Sequence, residues 1–275
     1  MRIRHLLVTA LALCLSLGAL GVSAQSTWDQ IKESKKIRVG CAPSEPWYYR
    51  DPKTGTWSGI GPGIADLLAQ ELQVEWECVE TTWGNAVAGL QANQFDMVVA
   101  LDATPQRALA IDFATGTLLY YAVGIMVPMD STVDTWAELD NPDKSISVAL
   151  GTSNDRAITG LLPNANIVRS KTYAEALASY FAGRVEAVGG SAQSLAFTAR
   201  EQLGAHKVVI PKPPSASTTS IGIRKEPDKT WRDWLSVAVD YYYHRGQTAR
   251  VYREFIESRG MDPALAPTIK LTEMQ

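Results

Sequence analysis

The chain's 275 residues include 26 Lys and Arg against 29 Asp and Glu, a formal net charge of −3 with both signs scattered along the sequence. That distribution offers no basic stripe to a nucleic acid and no acidic tail to a basic partner, so polyanion binding is excluded as a reading. Hydrophobic residues make up 46%, and the roughly 250 residues beyond the opening segment amount to two ordinary domains or one large one.

The opening segment carries Arg2, Arg4 and His5, then an apolar run over residues 6–22 and the small-residue exit Val22-Ser23-Ala24. A charged start, a short apolar run and small residues at its end are the pattern of a signal peptide, here residues 1–24 and cleaved after Ala24. As a membrane anchor the run sits at the short limit for spanning and is interrupted by glycine and serine. Cys14 lies mid-run behind Leu11-Ala12-Leu13, without the small residues that lipid attachment needs, and reads as apolar filler. No later stretch is apolar enough to span a bilayer, so a soluble, exported, periplasmic protein is expected.

The mature chain keeps Cys41 and Cys78, which an oxidising compartment allows to pair; two small buried residues is the other reading. His206 and His244 stand alone, and no metal-ligand spacing appears, so neither metal nor cofactor is expected.

In chain order, residues 36–40 read as a strand, 63–72 as a helix, 74–79 as a strand, 83–92 as a helix and 95–100 as a strand. Beyond Pro128 the same order recurs: strand 145–150, helix 154–162, strand 166–169, helix 173–182, strand 185–189. Residues 88–98 and 178–188 echo one another; in each a helix ends, a tight turn follows, and an acid interrupts an apolar strand. Two β-rich segments with a central Gly, 121–127 and 220–224, read as crossings between the halves. Helices over 231–243 and 247–258 then carry apolar faces (Trp234, Leu235, Val237 and Val239; Val251, Phe255 and Ile256) that need a core to cover. Such alternation predicts α/β architecture in two lobes, each a mostly parallel sheet flanked by helices. Lobe 1 is expected over 25–121 with 219–275, and lobe 2 over 122–218, joined by two hinge strands around a cleft. Ligands of open α/β sheets bind beyond the carboxyl ends of the strands, so the loops after Val39, Val99, Val148 and Val188 are where function is expected.

Several short pieces occur together in a telling order: Ile37-Arg38-Val39-Gly40, Pro46-Trp47, Trp57-Ser58-Gly59-Ile60, Phe95-Asp96-Met97-Val98-Val99-Ala100, Thr104-Pro105-Gln106-Arg107 and Ile111-Asp112-Phe113. They continue as Gly151-Thr152-Ser153, Gly183-Arg184-Val185-Glu186-Ala187-Val188 and Ile221-Gly222-Ile223-Arg224-Lys225. None is specific alone, but in this order and spacing the chain resembles the family 3 bacterial extracellular solute-binding proteins, the polar-amino-acid receptors of ABC importers. The resemblance covers nearly the whole mature chain and implies a type II periplasmic-binding-protein fold.

It further implies a non-enzymatic, monomeric receptor that closes over a small ligand and hands it to an ABC permease complex in the inner membrane. Arg107 would hold a ligand carboxylate, its planar fork matching two oxygens. Thr152 and Ser153, opening a helix, would add hydroxyl, backbone N–H and dipole contributions to the same anion. Trp47 and Trp83 are the expected aromatic walls, with Tyr48 and Tyr49 as weaker candidates that could instead cap the lobe edge.

The chain departs from the family in places. Where the family has an ammonium-binding Asp after the strand that ends near Val188, Ser191 stands here. Where it has Ser or Thr five residues before the arginine, Asp102 stands. Asp102 could take over the ammonium, orient Arg107, or mark a ligand that is not an α-amino acid. Glu45 is the acid nearest Ala42, where the family tends to place one for the ligand's side chain. The rival classes are a cyclohexadienyl-dehydratase-like enzyme, which needs a general acid where Ser194 stands, and a protein presenting its ligand to a membrane sensor. Glu186 belongs to the turn before its strand, and no nucleophile-base set is present.

Overall fold

Short β-rich runs alternating with amphipathic segments form two sheets that share a pair of crossing strands. The computed structural model describes residues 25–273 except Leu203, and the leader expected over 1–24 lies outside them. Lobe 1 begins with α1 (Thr27–Ser34), whose first turn is capped by Ser26 accepting from the Asp29 N–H, followed by β1 (Lys36–Cys41). A small hairpin, β2 (Tyr49–Arg50) with β3 (Trp57–Ser58), precedes α2 (Ile60–Leu72), β4 (Glu75–Glu80), α3 (Ala86–Gln91) and β5 (Met97–Leu101). One turn of helix, α4 (Pro105–Ala108), and the short β6 (Asp112–Phe113) lead to the first crossing strand, β7 (Leu119–Pro128). Lobe 2 runs β8 (Ser145–Ala149), α5 (Ser153–Leu161), β9 (Asn166–Ser170), α6 (Tyr173–Phe181), β10 (Ala187–Ser191), α7 (Ala192–Glu201) and β11 (His206–Val209). The chain returns along β12 (Ala216–Ile223) to α8 (Thr230–His244) and α9 (Gln247–Ser258).

Strand order is β4-β1-β5-β12-β7-β10-β8-β9, with β6 beside β12 and β11 beside β7. The outer pairs are parallel: β1 with β4 and β5, and β8 with β9 and β10. The centre is antiparallel and divides each crossing strand between the two lobes. Ala216 to Thr219 of β12 pair with Ala122 to Leu119 of β7, whereas Ile221 to Ile223 pair with β5. Farther along β7, Val123 to Met126 pair with β10. The division points read from the sequence, 121/122 and 218/219, fall inside the stretch where β7 and β12 pair.

The echo between the halves has a physical basis. In lobe 1, Asn93 takes a left-handed conformation (φ 54°) and the Gln94 N–H bonds the Gly89 carbonyl; in lobe 2, Gly183 (φ 68°) and the Arg184–Ser179 bond make the same helix ending. Each following acid then bonds a neighbouring strand's backbone: Asp96 accepts from the Arg38 N–H at 2.7 Å, and Glu186 from the Ser145 N–H at 3.4 Å. This is why both strands start later than the apolar pattern predicts, at Met97 and Ala187 instead of 95 and 185. Phe95 and Val185 are buried turn anchors, not ladder residues.

Cys41 on β1 and Cys78 on β4 are joined in a disulfide with Cα atoms 5.6 Å apart. Trp231, Leu235 and Val239 of α8 and Val251, Phe255 and Ile256 of α9 enter the core, but Val237, expected there, is 71% exposed. At 3.6 residues per turn it lies opposite the buried stripe. Beyond α9, residues 267–269 run back over the centre of the molecule. Tyr252 Oη donates to the Pro267 carbonyl, Gln193 Nε2 of α7 to that of Thr268, and the Tyr120 N–H of β7 to that of Ile269.

Tyr48 is fully buried, not the lobe-edge cap it could have been. Its hydroxyl bonds both the N–H and the carbonyl of Val99, each at 3.0 Å. Tyr48→Phe leaves two buried backbone groups on β5 without partners and is expected to cost about 2–4 kcal/mol, read from urea unfolding.

Candidate ligand-binding site

The site grows from the end of β5. Val99 pairs with Ile221 and Leu101 with Ser220, so Ala100 between them is an extra, unpaired residue, held at φ 59°. A bulge of this kind bends a strand and redirects the residues that follow, here Leu101 and Asp102. Thr104 then caps α4, accepting from the Arg107 N–H, and Pro105 opens the turn with its fixed φ. Together these features turn Arg107 inward, to 7% exposure, with Nη1 donating to the Asp102 carbonyl at 3.2 Å. Among the described residues no carboxylate reaches ion-pair distance of it. Burial lowers the pKa of its guanidinium, and the field of Asp102 partly opposes that shift.

Asp102 therefore does not form the close ion pair with Arg107 that the sequence allowed. Its Oδ2 accepts from Tyr121 Oη at 2.6 Å and from Ser217 Oγ at 3.0 Å. Tyr121 and Ser217 face each other across β7 and β12, and Tyr121 Oη also lies 3.2 Å from Ser153 Oγ of lobe 2. Loss of hydration raises the pKa of Asp102 above the usual aspartate value, against its hydrogen bonds and Arg107. Tyr121 is pushed well up, first by burial and then by the neighbouring Asp102 charge.

From lobe 2, α5 points its N-terminus at the same space. Thr152 is its cap; Oγ1 donates to the Ala149 carbonyl at 2.8 Å and accepts from the Asp155 N–H at 3.0 Å. The Thr152 hydroxyl proton is thus used within the fold. What the helix can offer an anion is the Ser153 side chain, the backbone N–H groups of its first turn and the positive end of its dipole.

Trp47 closes the opposite side. Its ring meets Tyr121 edge-on with centroids 5.6 Å apart, and its indole N–H reaches Ser191 Oγ at 3.2 Å and Ser194 Oγ at 3.0 Å. Ser191 caps α7, and Ser44 Oγ of lobe 1 lies 3.3 Å from Ser194 Oγ. Trp83 packs against Tyr48 at 5.7 Å. Gln106 and Arg156 also bond across the cleft.

Arg107, Asp102, Thr152, Ser153, Trp47, Trp83 and Ser191 all line one cavity of about 60 Å³ between the lobes. Tyr121, Tyr173, Ser44, Asn154 and Thr219 line it too and were not singled out from the sequence. Tyr121 left one signal, a phenol at the start of an otherwise apolar crossing segment. Glu45 does not line the cavity; its carboxylate pairs with Arg259 at 2.8 Å, whose guanidinium lies 4.0 Å from the Tyr49 ring.

Two α/β lobes sharing two crossing strands, with a small cavity enclosed between them, define a type II periplasmic-binding-protein fold. The chain belongs to the bacterial extracellular solute-binding proteins, family 3, matched over residues 37–258. It is 27% identical over 198 residues to a probable amino-acid ABC transporter periplasmic-binding protein of Sinorhizobium fredii, covering 70% of this chain and 65% of that one. It is 26% identical over 175 residues to an L-arginine-binding protein of Pseudomonas aeruginosa, covering 62% of this chain and 66% of that one. The chain thus spans slightly less than two thirds of each curated relative's length. Among solved structures, an ancestral amino acid-binding protein described as a precursor of cyclohexadienyl dehydratase superposes with a TM-score of 0.75 at 28% identity. That match covers 84% of this chain and 99% of the other. A cysteine-binding protein of Campylobacter jejuni shares the fold, with a TM-score of 0.77 at 21% identity over 88% of this chain and 96% of the other.

The raised pKa of Asp102 fixes the sign of its pH effect. Between its unfolded and folded values the native state holds the extra proton, so this group's contribution to stability falls as pH rises through that window. Asp102→Asn, which keeps an acceptor without the charge, is expected to gain stability relative to the parent as the pH is raised above the ordinary aspartate range, measured by thermal melting.

Proposed function

We propose that this chain is a periplasmic receptor of an ABC importer that captures a small carboxylate-bearing solute, an amino acid or a relative, by closing its lobes about β7 and β12. Residues 25–121 with 219–275 form one jaw and residues 122–218 the other. The observation that carries this reading is Arg107: a buried guanidinium with no acid at ion-pair distance among the described residues, lining an interlobe cavity together with the first residues of α5. Desolvating a cation without a counterion costs several kcal/mol, and a bound carboxylate supplies that counterion through two parallel N–H···O bonds.

Closure follows from the division of labour. Arg107 belongs to lobe 1 and Ser153 to lobe 2, so an anion held by both favours the state in which they converge, by as much as its affinity differs between states. Delivery to a permease complex in the inner membrane is the partner reading that the names of the relatives support. The solved relative described as a dehydratase precursor gives the enzymatic alternative a specific basis. That chemistry requires a general acid in the pocket. The lining carboxyl is Asp102, already engaged by Tyr121 and Ser217, while Glu186 bonds Lys144 and Ser145 away from the cavity.

Arg107→Ala is expected to lower affinity for the bound carboxylate at least 100-fold by calorimetric titration, with the circular dichroism spectrum unchanged; Arg107→Lys should recover only part of the loss. Affinity retained in Arg107→Ala removes the clamp from the mechanism.

A further inference from the structure

We propose that Asn154 and Thr219 are two further ligand-binding residues, and that the carboxylate the protein takes carries a hydrogen-bond donor, a hydroxyl or an ammonium, on the carbon beside it. This rests on the receptor reading above and deepens it. Buried polar side chains in folded proteins almost always have partners, so one without a partner asks for an explanation. Among the described residues, three such atoms belong to side chains that line the interlobe cavity: Asn154 Oδ1, Thr219 Oγ1 and Tyr173 Oη. Tyr173 Oη has the Thr198 side chain of α7 beside it, which leaves two.

Thr219 is 1% exposed and stands on β12 two residues beyond Ser217. Alternate residues of a strand share a face, so Thr219 lies on the side from which the Ser217 hydroxyl reaches Asp102. Asn154 comes from the opposite lobe and is the second residue of α5, next to the Ser153 assigned to the anion. That adjacency puts its amide by the carboxylate and not at a remote end of the ligand. No hydrogen bond among the described residues fixes the Asn154 amide, so its oxygen can turn to a donor. An amide oxygen only accepts and a hydroxyl can accept, so a donor next to the carboxylate satisfies both residues. Closing the lobes strips water from these groups, and a ligand without a donor leaves them buried and unpaired. The length of the ligand's remaining chain does not enter, because room continues past Trp83 and Tyr173 into a hollow of about 240 Å³.

The test is calorimetric titration of the mature chain with the proteinogenic L-amino acids, the corresponding 2-hydroxy acids, and the corresponding carboxylates that lack either group. Wild type is expected to bind at least one amino or hydroxy acid about tenfold or more tightly than its donor-free counterpart; the two arms tell ammonium from hydroxyl. Thr219→Val and Asn154→Leu, close in shape but without the polar atoms, should each narrow that preference about fivefold. Ligand-free, each should melt no lower than wild type, since an unpaired buried group has been removed. Thr219→Ser keeps the hydroxyl and should keep the preference, and the wild-type comparison stands whether or not a variant folds. Wild type binding donor-free carboxylates as tightly as the others, or both apolar variants keeping the wild-type preference, overturns the proposal; binding that Arg107→Ala still abolishes leaves the receptor reading in place. If no carboxylate binds wild type, the receptor reading itself fails and this proposal with it.

Discussion

Arg107 carries a charge into a place where water cannot fully solvate it, and much of the surrounding architecture exists to hold it there. Its guanidinium is fixed at one corner by the Asp102 carbonyl, and that carbonyl is placed by a bulge at Ala100 whose backbone sits in a region few non-glycine residues adopt. Backbone strain of this kind persists where the neighbouring structure over-determines it. Here the neighbours are Tyr48, which bonds both polar groups of Val99 one residue earlier, and Ser220 and Ile221, which pair on either side of the bulge.

The carboxylate of Asp102 has a different task from its carbonyl. It gathers Tyr121 from one crossing strand and Ser217 from the other, at the step where these residues face each other. Tyr121 in turn touches Ser153 at the head of α5. One buried acid thereby ties the arginine-bearing loop, both crossing strands and the opposite lobe into one polar network. Such a network resists piecemeal change, because removing any member leaves others buried without partners.

The sequence carried the fold at the level of periodicity. Each repeat of strand, helix and strand was readable because one face of each element is buried, and the paired turns at Asn93 and Gly183 were visible as an echo. Boundaries were harder, since Phe95 and Val185 are as apolar as any strand residue and only the hydrogen bonds of Asp96 and Glu186 set them outside the ladder. At the site, residue types pointed to the arginine and the tryptophans. The direction of the Asp102 carboxylate did not show, because its partners lie 19 and 115 residues away in the chain. Tyr121 went unremarked for the same reason: its importance comes from pairing with Ser217, a relation made by strand register. Val237 shows the converse, an apolar residue that helical phase places in solvent.

Residues 267–269 connect the halves a third time, without being a covalent hinge. Ile269 is fastened to Tyr120 on the crossing strand, while Thr268 receives the side-chain amide of Gln193 from the opposite lobe. Rotation about β7 and β12 that carries α7 outward must part that amide from its carbonyl, although the tether at Tyr120 can stay intact. In the closure proposed above the tail would act as a detent, its grip a single neutral hydrogen bond from Gln193 to the Thr268 carbonyl, a catch of about 1 kcal/mol that thermal motion can release.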